Sequence, residues 1–311
     1  MSYQRASFEP LRQTGYGIGF HWTTWNWPRQ GEPVSFAEAV ETFDVDAFVE
    51  QAVEAGAGHV LITTTHAKHQ LAGPNPEVDK ILPGRTSKRD LLMEIVDGLA
   101  AANIRLIFYY HHGCGEPTQD TEWQDAMGSN KPDQTGFYDR YCRILGWMGE
   151  HYGSKVIAWW FDATYSLMER SAPPFERMAA ASKAGHADRL VAYNAGIETH
   201  TLYTVCQDYW AGEMNRLNYV PRGDATPAGL PWYSLTSWHA HHELPMCGGW
   251  NIDAETRDLD WPPPPVEAVA AYLRRFQAVG GTVTFNLLCY QDGSALDTDL
   301  EVMKQLKGIM R

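Results

Sequence analysis

The sequence predicts an α/β fold, a (β/α)8 barrel of the TIM type, as a single domain spanning residues 1–311. Three observations carry that expectation. Strand-like and helix-like segments alternate along the chain, as parallel strands joined by crossover helices require. The strand-like runs number eight. Each of them meets polar or aromatic side chains at or near its end, and a barrel gathers those ends on one face. A doubly wound open sheet is the alternative, but no GxGxxG turn follows the first strand.

The elements follow in order. "YGIGF" gives a first strand over Tyr16–Phe20. "FDVDAFVEQAVEAGAGHVLITT" opens with Asp44 as an N-cap and holds helical spacing to Ala55. It then stops at Gly56 and passes into the β-branched strand His59–Thr64. A helix over Lys88–Ala102 leads to the strand Arg105–Tyr110, and one over Thr135–His151 to the strand Val156–Phe161. A helix over Phe175–Lys183 precedes the strand Arg189–Asn194, and strands over Thr204–Tyr209 and Ser234–Trp238 come next. "DWPPPPVEA" (Asp260–Ala268) can continue neither a helix nor a central strand, so it reads as a rigid loop. It leads into a helix over Val266–Val279, and a strand Thr282–Leu288 and a helix Thr298–Met310 complete the pattern.

Composition excludes several classes. The net charge is −13 and no basic run occurs, which argues against nucleic acid as a partner. The cysteines at 114, 142, 206, 247 and 289 are odd in number and form no CxxC. They read as free thiols in a reducing compartment. "MSYQRASFEPLRQ" has no apolar core of a signal peptide, and no run approaches 18 apolar residues. A cytoplasmic protein with no membrane partner and no cofactor is expected, and homo-oligomerisation stays open.

The strand ends collect a distinctive set of side chains: His21 and Trp22; His66; Tyr109, Tyr110, His111 and His112; Asp162; Asn194; Asp208 with Glu213 just beyond; Trp238 and His239; and Asn286. Aromatic faces beside carboxylates and imidazoles suit a sugar, whose C–H faces stack on Trp and whose hydroxyls need fixed partners. A phosphate site would want glycine-rich nests or cations. Two carboxylates suggest glycosidase chemistry, with Asp162 as nucleophile. Glu116, Glu122, Glu198, Glu213 and Glu243 are candidates for the acid, and "DYWAGE" favours Glu213. Of Trp159 and Trp160, strand alternation sends one to the core and one to the barrel interior or mouth. "WHAHHELP", with His239, His241, His242 and Glu243, is a weak metal motif because Pro245 and the preceding strand make it a loop. His111, His112 and Cys114 are another.

Along most of its length the chain resembles the α-L-fucosidases of glycoside hydrolase family 29. "YGIGFHW", "FDVDAFVEQAVEAGAGHVLITTTH", "SKRDLLMEIVDGLAAANIRLIFYY", "AWWFD", "QDYWAGE" and "GGTVTFNLLCYQDGSAL" occur in that family's order. The resemblance implies a retaining exo-glycosidase acting on an α-L-fucoside or a related L- or deoxy-sugar. It makes Asp162 the nucleophile and Glu213 the acid/base, with His21, Trp22, His66, Tyr110, Trp160 and Trp238 binding the carbohydrate. The chain departs from the family at Thr23, Ala67, Ala163 and Ala195, where the family has Gly, His, Gly and Arg. It also ends soon after the last barrel helix, without the family's C-terminal β-sandwich. The lost His and Arg bear on fucose recognition more than on hydrolysis. A sugar-binding barrel without catalysis and a metal-dependent isomerase or hydrolase are the alternatives.

Overall fold

The computed structural model describes residues 3–66, 68–114, 120–240 and 249–310. Its strands are β1 Gly17–Phe20, β2 His59–Thr65, β3 Arg105–His111, β4 Val156–Asp162, β5 Leu190–Tyr193, β6 Glu213–Met214, β7 Tyr233–Thr236 and β8 Thr282–Leu287. They form one sheet in the order β5-β4-β3-β2-β1-β8-β7-β6, every pair parallel. The first strand lies between the second and the last, so the sheet curls back on itself as a barrel does.

The helices match the sequence expectation to within a few residues: Val45–Glu54, Leu91–Ala101, Thr135–Tyr152, Phe175–Ser182, Val266–Gln277 and Asp297–Ile309. Asp44 accepts the Ala47 N–H at 2.9 Å and so caps the helix it opens. The proline run hands over to its helix at Pro265. Among the described residues no helix is long and apolar enough to cross a membrane.

The expected strand at Thr204–Tyr209 does not form; β6 lies later, at Glu213–Met214. Asp208 is the reason. Its backbone N–H donates to Val191 O at 2.8 Å, but the Val191 N–H donates to the Asp208 carboxylate, also at 2.8 Å. A side chain has taken the place of the backbone carbonyl that would have extended the ladder. The same carboxylate accepts from the Ala6 N–H and pairs with Lys183. Asp208 therefore ties the N-terminal segment to β5, and Glu213 occupies the end of the sixth strand.

Alternation along the strands separates two cores. Leu61, Ile107, Tyr109, Ala158, Trp160, Leu190, Ala192 and Leu235 fill the barrel interior, with Phe8 and Leu11 packed into the same cluster. Val60, Phe108, Tyr110, Trp159, Phe161, Val191 and Phe285 belong to the cluster shared with the helices. Gly17 must lack a side chain, because a Cβ there would lie 2.2 Å from the His59 ring. That ring is wedged between Thr14 and Thr284, and burial holds it neutral. Arg189, fully buried, donates to the carbonyls of Gly149, Gly153, Val156, Ser182 and Ala184, joining two helix C-termini to β4. Cations are favoured at that end of a helix. The four described cysteines are buried and free; Cys247 lies outside the described residues.

Candidate active site

The C-terminal ends of the strands surround a cavity of about 250 Å³. It is smaller than the roughly 300–1,000 Å³ of sites that take drug-sized ligands. His21, Thr23, Trp25, His66, Tyr109, His111, Trp160, Asp162, Tyr165, Glu213, Leu235, Trp250 and Asn251 line it. Asp162 and Glu213 are the only acidic side chains in this lining and no Lys or Arg joins them, so the site suits a neutral ligand.

Register decides which side chains reach the cavity. Residues paired across parallel strands point to the same face. Tyr109 pairs with Trp160 and His111 with Asp162, and all four point inward. Tyr110 pairs with Phe161 and points outward. Its hydroxyl meets His69 Nε2 at 2.8 Å. Tyr110, expected among the site residues, thus points away from the cavity, and Tyr109, one residue earlier, lines it. Trp22 and Trp238, two residues beyond the ends of β1 and β7, also lie outside the cavity. Trp22 packs on Phe36 and Phe43 and donates to Gln291 O, and Trp238 packs on Phe285 and donates to Asp299. Trp159 faces the helices and Trp160 the interior, where its indole stacks on Tyr109 with centroids 5.1 Å apart.

Asp162 ends β4, and the chain turns sharply behind it. Ala163 has φ +54°, the left-handed region that disfavours an L-residue. Its carbonyl accepts from His112 Nε2 and from Ser166, which hold the turn. Asp162 Oδ2 accepts a short hydrogen bond from the Tyr109 hydroxyl. Its Oδ1 accepts from Asn194 Nδ2 at 2.9 Å, and the same nitrogen donates to Glu213 Oε2 at 2.7 Å. The two carboxylate oxygens can then be no further apart than the sum of those distances, 5.6 Å.

The two acids differ in environment. Burial and the charge of Asp162 push Glu213 up to about 8, against a smaller opposing effect of Asn194. Burial acts to raise Asp162 as well, but His111 and the hydrogen bonds from Tyr109 and Asn194 outweigh it and hold Asp162 below the usual carboxylate range. At neutral pH one group is a carboxylate and the other a carboxylic acid.

The imidazoles are neutral and of opposite polarity. Burial, with a contribution from His66, brings His21 down to about 4. Asn286 Nδ2 donates to Trp250 O, which leaves Asn286 Oδ1 to accept from His21 Nδ1 at 2.7 Å. His21 Nε2 is then an acceptor. Burial and His112 hold His111 well below the ordinary histidine range. The Gly113 N–H donates to its Nδ1, so its Nε2 carries the proton and is a donor. His66 is likewise lowered by burial, and its Nδ1 has no partner among the described residues.

Of the other acid candidates, Glu122 pairs with Arg85 away from the cavity and Glu198 is exposed. Glu116 and Glu243 lie outside the described residues, as do Ala67, His241 and His242. His239 is occupied by buried Asp299 at 2.7 Å. Asn194, Tyr109 and His111 are strand-end residues whose role sequence position alone does not distinguish. Trp25, Trp250 and Asn251 lie outside the regular helices and strands and Tyr165 lies in the short helix Thr164–Met168 behind β4, and no sequence signal marked them, because only the fold brings them to the mouth.

A family model described as alpha-L-fucosidase matches residues 4–226. No curated protein matches the chain. Among solved structures, the alpha-L-fucosidase AlfC from Lactobacillus casei in complex with alpha-L-fucose product aligns with a TM-score of 0.64 at 12% identity, over 97% of this chain and 98% of that one. Alpha-L-fucosidase isoenzyme 1 from Paenibacillus thiaminolyticus aligns at 0.68 and 18% identity, over 98% of this chain and 75% of that one. An alpha-L-fucosidase from Bacteroides thetaiotaomicron aligns at 0.68 and 16%, over all of this chain and 74% of that one. At these identities the structures establish likeness of fold.

Proposed function

The chain belongs to the alpha-L-fucosidase family and is a glycoside hydrolase, and from this premise we propose that it removes one terminal α-L-fucosyl or closely related sugar with retention of configuration. The observation that carries the reading is the single Asn194 amide shared by Asp162 and Glu213. It keeps their facing oxygens within 5.6 Å, the sum of 2.9 Å and 2.7 Å. Retaining enzymes hold their carboxyl groups about 5–5.5 Å apart, and a bridge through one amide nitrogen supports such close spacing.

In the first step ionised Asp162 attacks the anomeric carbon while protonated Glu213 gives its proton to the departing oxygen. The glycosidic C–O bond breaks and a glycosyl ester forms on Asp162. In the second step Glu213, now a carboxylate, takes a proton from water, whose oxygen attacks the same carbon and releases Asp162. The split between the two acids supports these roles, since the nucleophile must be charged and the acid protonated at one pH. Trp160 and Tyr109 offer aromatic faces to the ring, His21 accepts from a hydroxyl and His111 donates to one. The small cavity supports one sugar unit, hence exo action.

Asp162→Asn should abolish release of nitrophenol from nitrophenyl α-L-fucoside while the circular dichroism spectrum stays unchanged. NMR of the first product formed should show the α anomer. Turnover by the variant, or an initial β anomer, would overturn the reading.

A further inference from the structure

One polar side chain in the described cavity wall is neither aromatic nor hydrogen-bonded to the protein. Asn251 is 2% exposed, and both its Oδ1 and its Nδ2 lack a hydrogen-bond partner among the described residues. No other described residue has both ends of a buried amide unpaired. Buried polar groups are nearly always bonded, so such a residue requires an explanation. Looseness is not the explanation, because the backbone on either side is pinned. Trp250 O accepts from Asn286 Nδ2 at 2.8 Å, Ile252 O accepts from the Trp27 N–H at 2.9 Å, and Ile252 itself is fully buried. The residue is held in place and lines the cavity, with both amide atoms buried and unpaired.

We propose that Asn251 selects the substrate by bonding two adjacent ring hydroxyls at the edge of the sugar furthest from the scissile bond. This rests on the glycosidase reading above. The placement follows from topology. The segment carrying Asn251 is fastened to β8, and β8 lies four positions from β4 in the sheet order, across the barrel from Asp162. A carboxamide has one acceptor and one donor end, so it can take the proton of one hydroxyl and give one to the oxygen of the next. His21, in contact with Trp250 at 4.9 Å between centroids, adds an acceptor on the same side. The ligand class is a neutral pyranose with vicinal hydroxyls opposite its anomeric carbon.

The test is a cycle on one aryl glycoside and its monodeoxy analogues, each lacking one ring hydroxyl, with the unaltered chain and Asn251→Ala. A prior screen of nitrophenyl glycosides chooses the parent sugar. Asn251→Ala should lower kcat/KM for the parent about 10- to 100-fold and become nearly indifferent to loss of one of two neighbouring hydroxyls. Equal, additive losses on every analogue, or no loss at all, would overturn the proposal. A thermal melt separates recognition from scaffolding. Removing an amide with no protein partner should leave Tm unchanged or raise it, and a clear drop would also overturn the proposal. If the screen selects a sugar other than fucose, the substrate reading fails while the cycle still tests Asn251. If nothing in the screen is cleaved, the hydrolase reading fails. Calorimetry with the same free monosaccharides then decides, and equal binding, or none, by both proteins refutes the role of Asn251.

Discussion

Replacing Asn194 by alanine removes the one donor shared by the two acids, and the pH profile should report it. In the proposed mechanism Glu213 works protonated, so the rate should fall as pH rises through its raised pKa, about 8. In the same mechanism Asp162 works ionised, so the rate should fall as pH drops through its lowered pKa. Asn194 lowers both groups. Without it both limbs move to higher pH. A hydrogen bond to a charged acceptor contributes about 1.5–3 kcal/mol. A full pKa unit corresponds to about 1.4 kcal/mol. Asp162 is the group that is charged across the working range, so its limb should move most, by about one unit. The assay is kcat/KM from pH 3 to 10 on a phenyl glycoside, whose poor leaving group needs the acid. A wild-type alkaline limb near the ordinary carboxyl value of 4.5, or limbs that Asn194→Ala leaves in place or moves down, would refute the division of labour.

Glu213→Gln should cost about 10²–10⁴-fold on a phenyl glycoside and much less on a dinitrophenyl one, which leaves without a proton. The same variant should be more stable than its parent at neutral and alkaline pH. The parent's raised pKa means its folded form is penalised as pH climbs from the unfolded value of 4.5 toward about 8. In urea titrations the difference should vanish below pH 4.5; a constant difference would count against the shift. Tyr109→Phe and Tyr110→Phe test the register. The first loses the donor to Asp162 and should lower kcat/KM about tenfold, with the acid limb moved up. The second loses only the bond to His69 and should cost about 1 kcal/mol of stability in urea with kcat/KM unchanged. The reverse pattern would mean the strand is read one residue out of phase.

The sequence by itself determined the alternation of strands and helices, the cap at Asp44, the proline entry to Val266–Gln277 and the strand-end acid at Asp162, because these depend on local propensity and short-range pattern. It could not place Glu213 on β6, since Thr204–Tyr209 has strand composition and only the long-range contact of Asp208 with Val191 denies it a ladder. Nor could it choose between Tyr109 and Tyr110. Neighbours in a strand face opposite sides, and the inward one is set by pairing with Trp160. Asn194, visible only as the end of a strand, became the bridge between two acids once β4, β5 and β6 stood side by side. Asn251 lies 89 residues beyond Asp162 in a loop without pattern. Its place in the wall comes from the bonds that its neighbours' carbonyls accept from the Asn286 side chain on β8 and from the Trp27 N–H, contacts no local rule encodes. Identity and order of elements are short-range properties; which side chains share a cavity, and which proton each one holds, is decided by how the curled sheet gathers the strand ends.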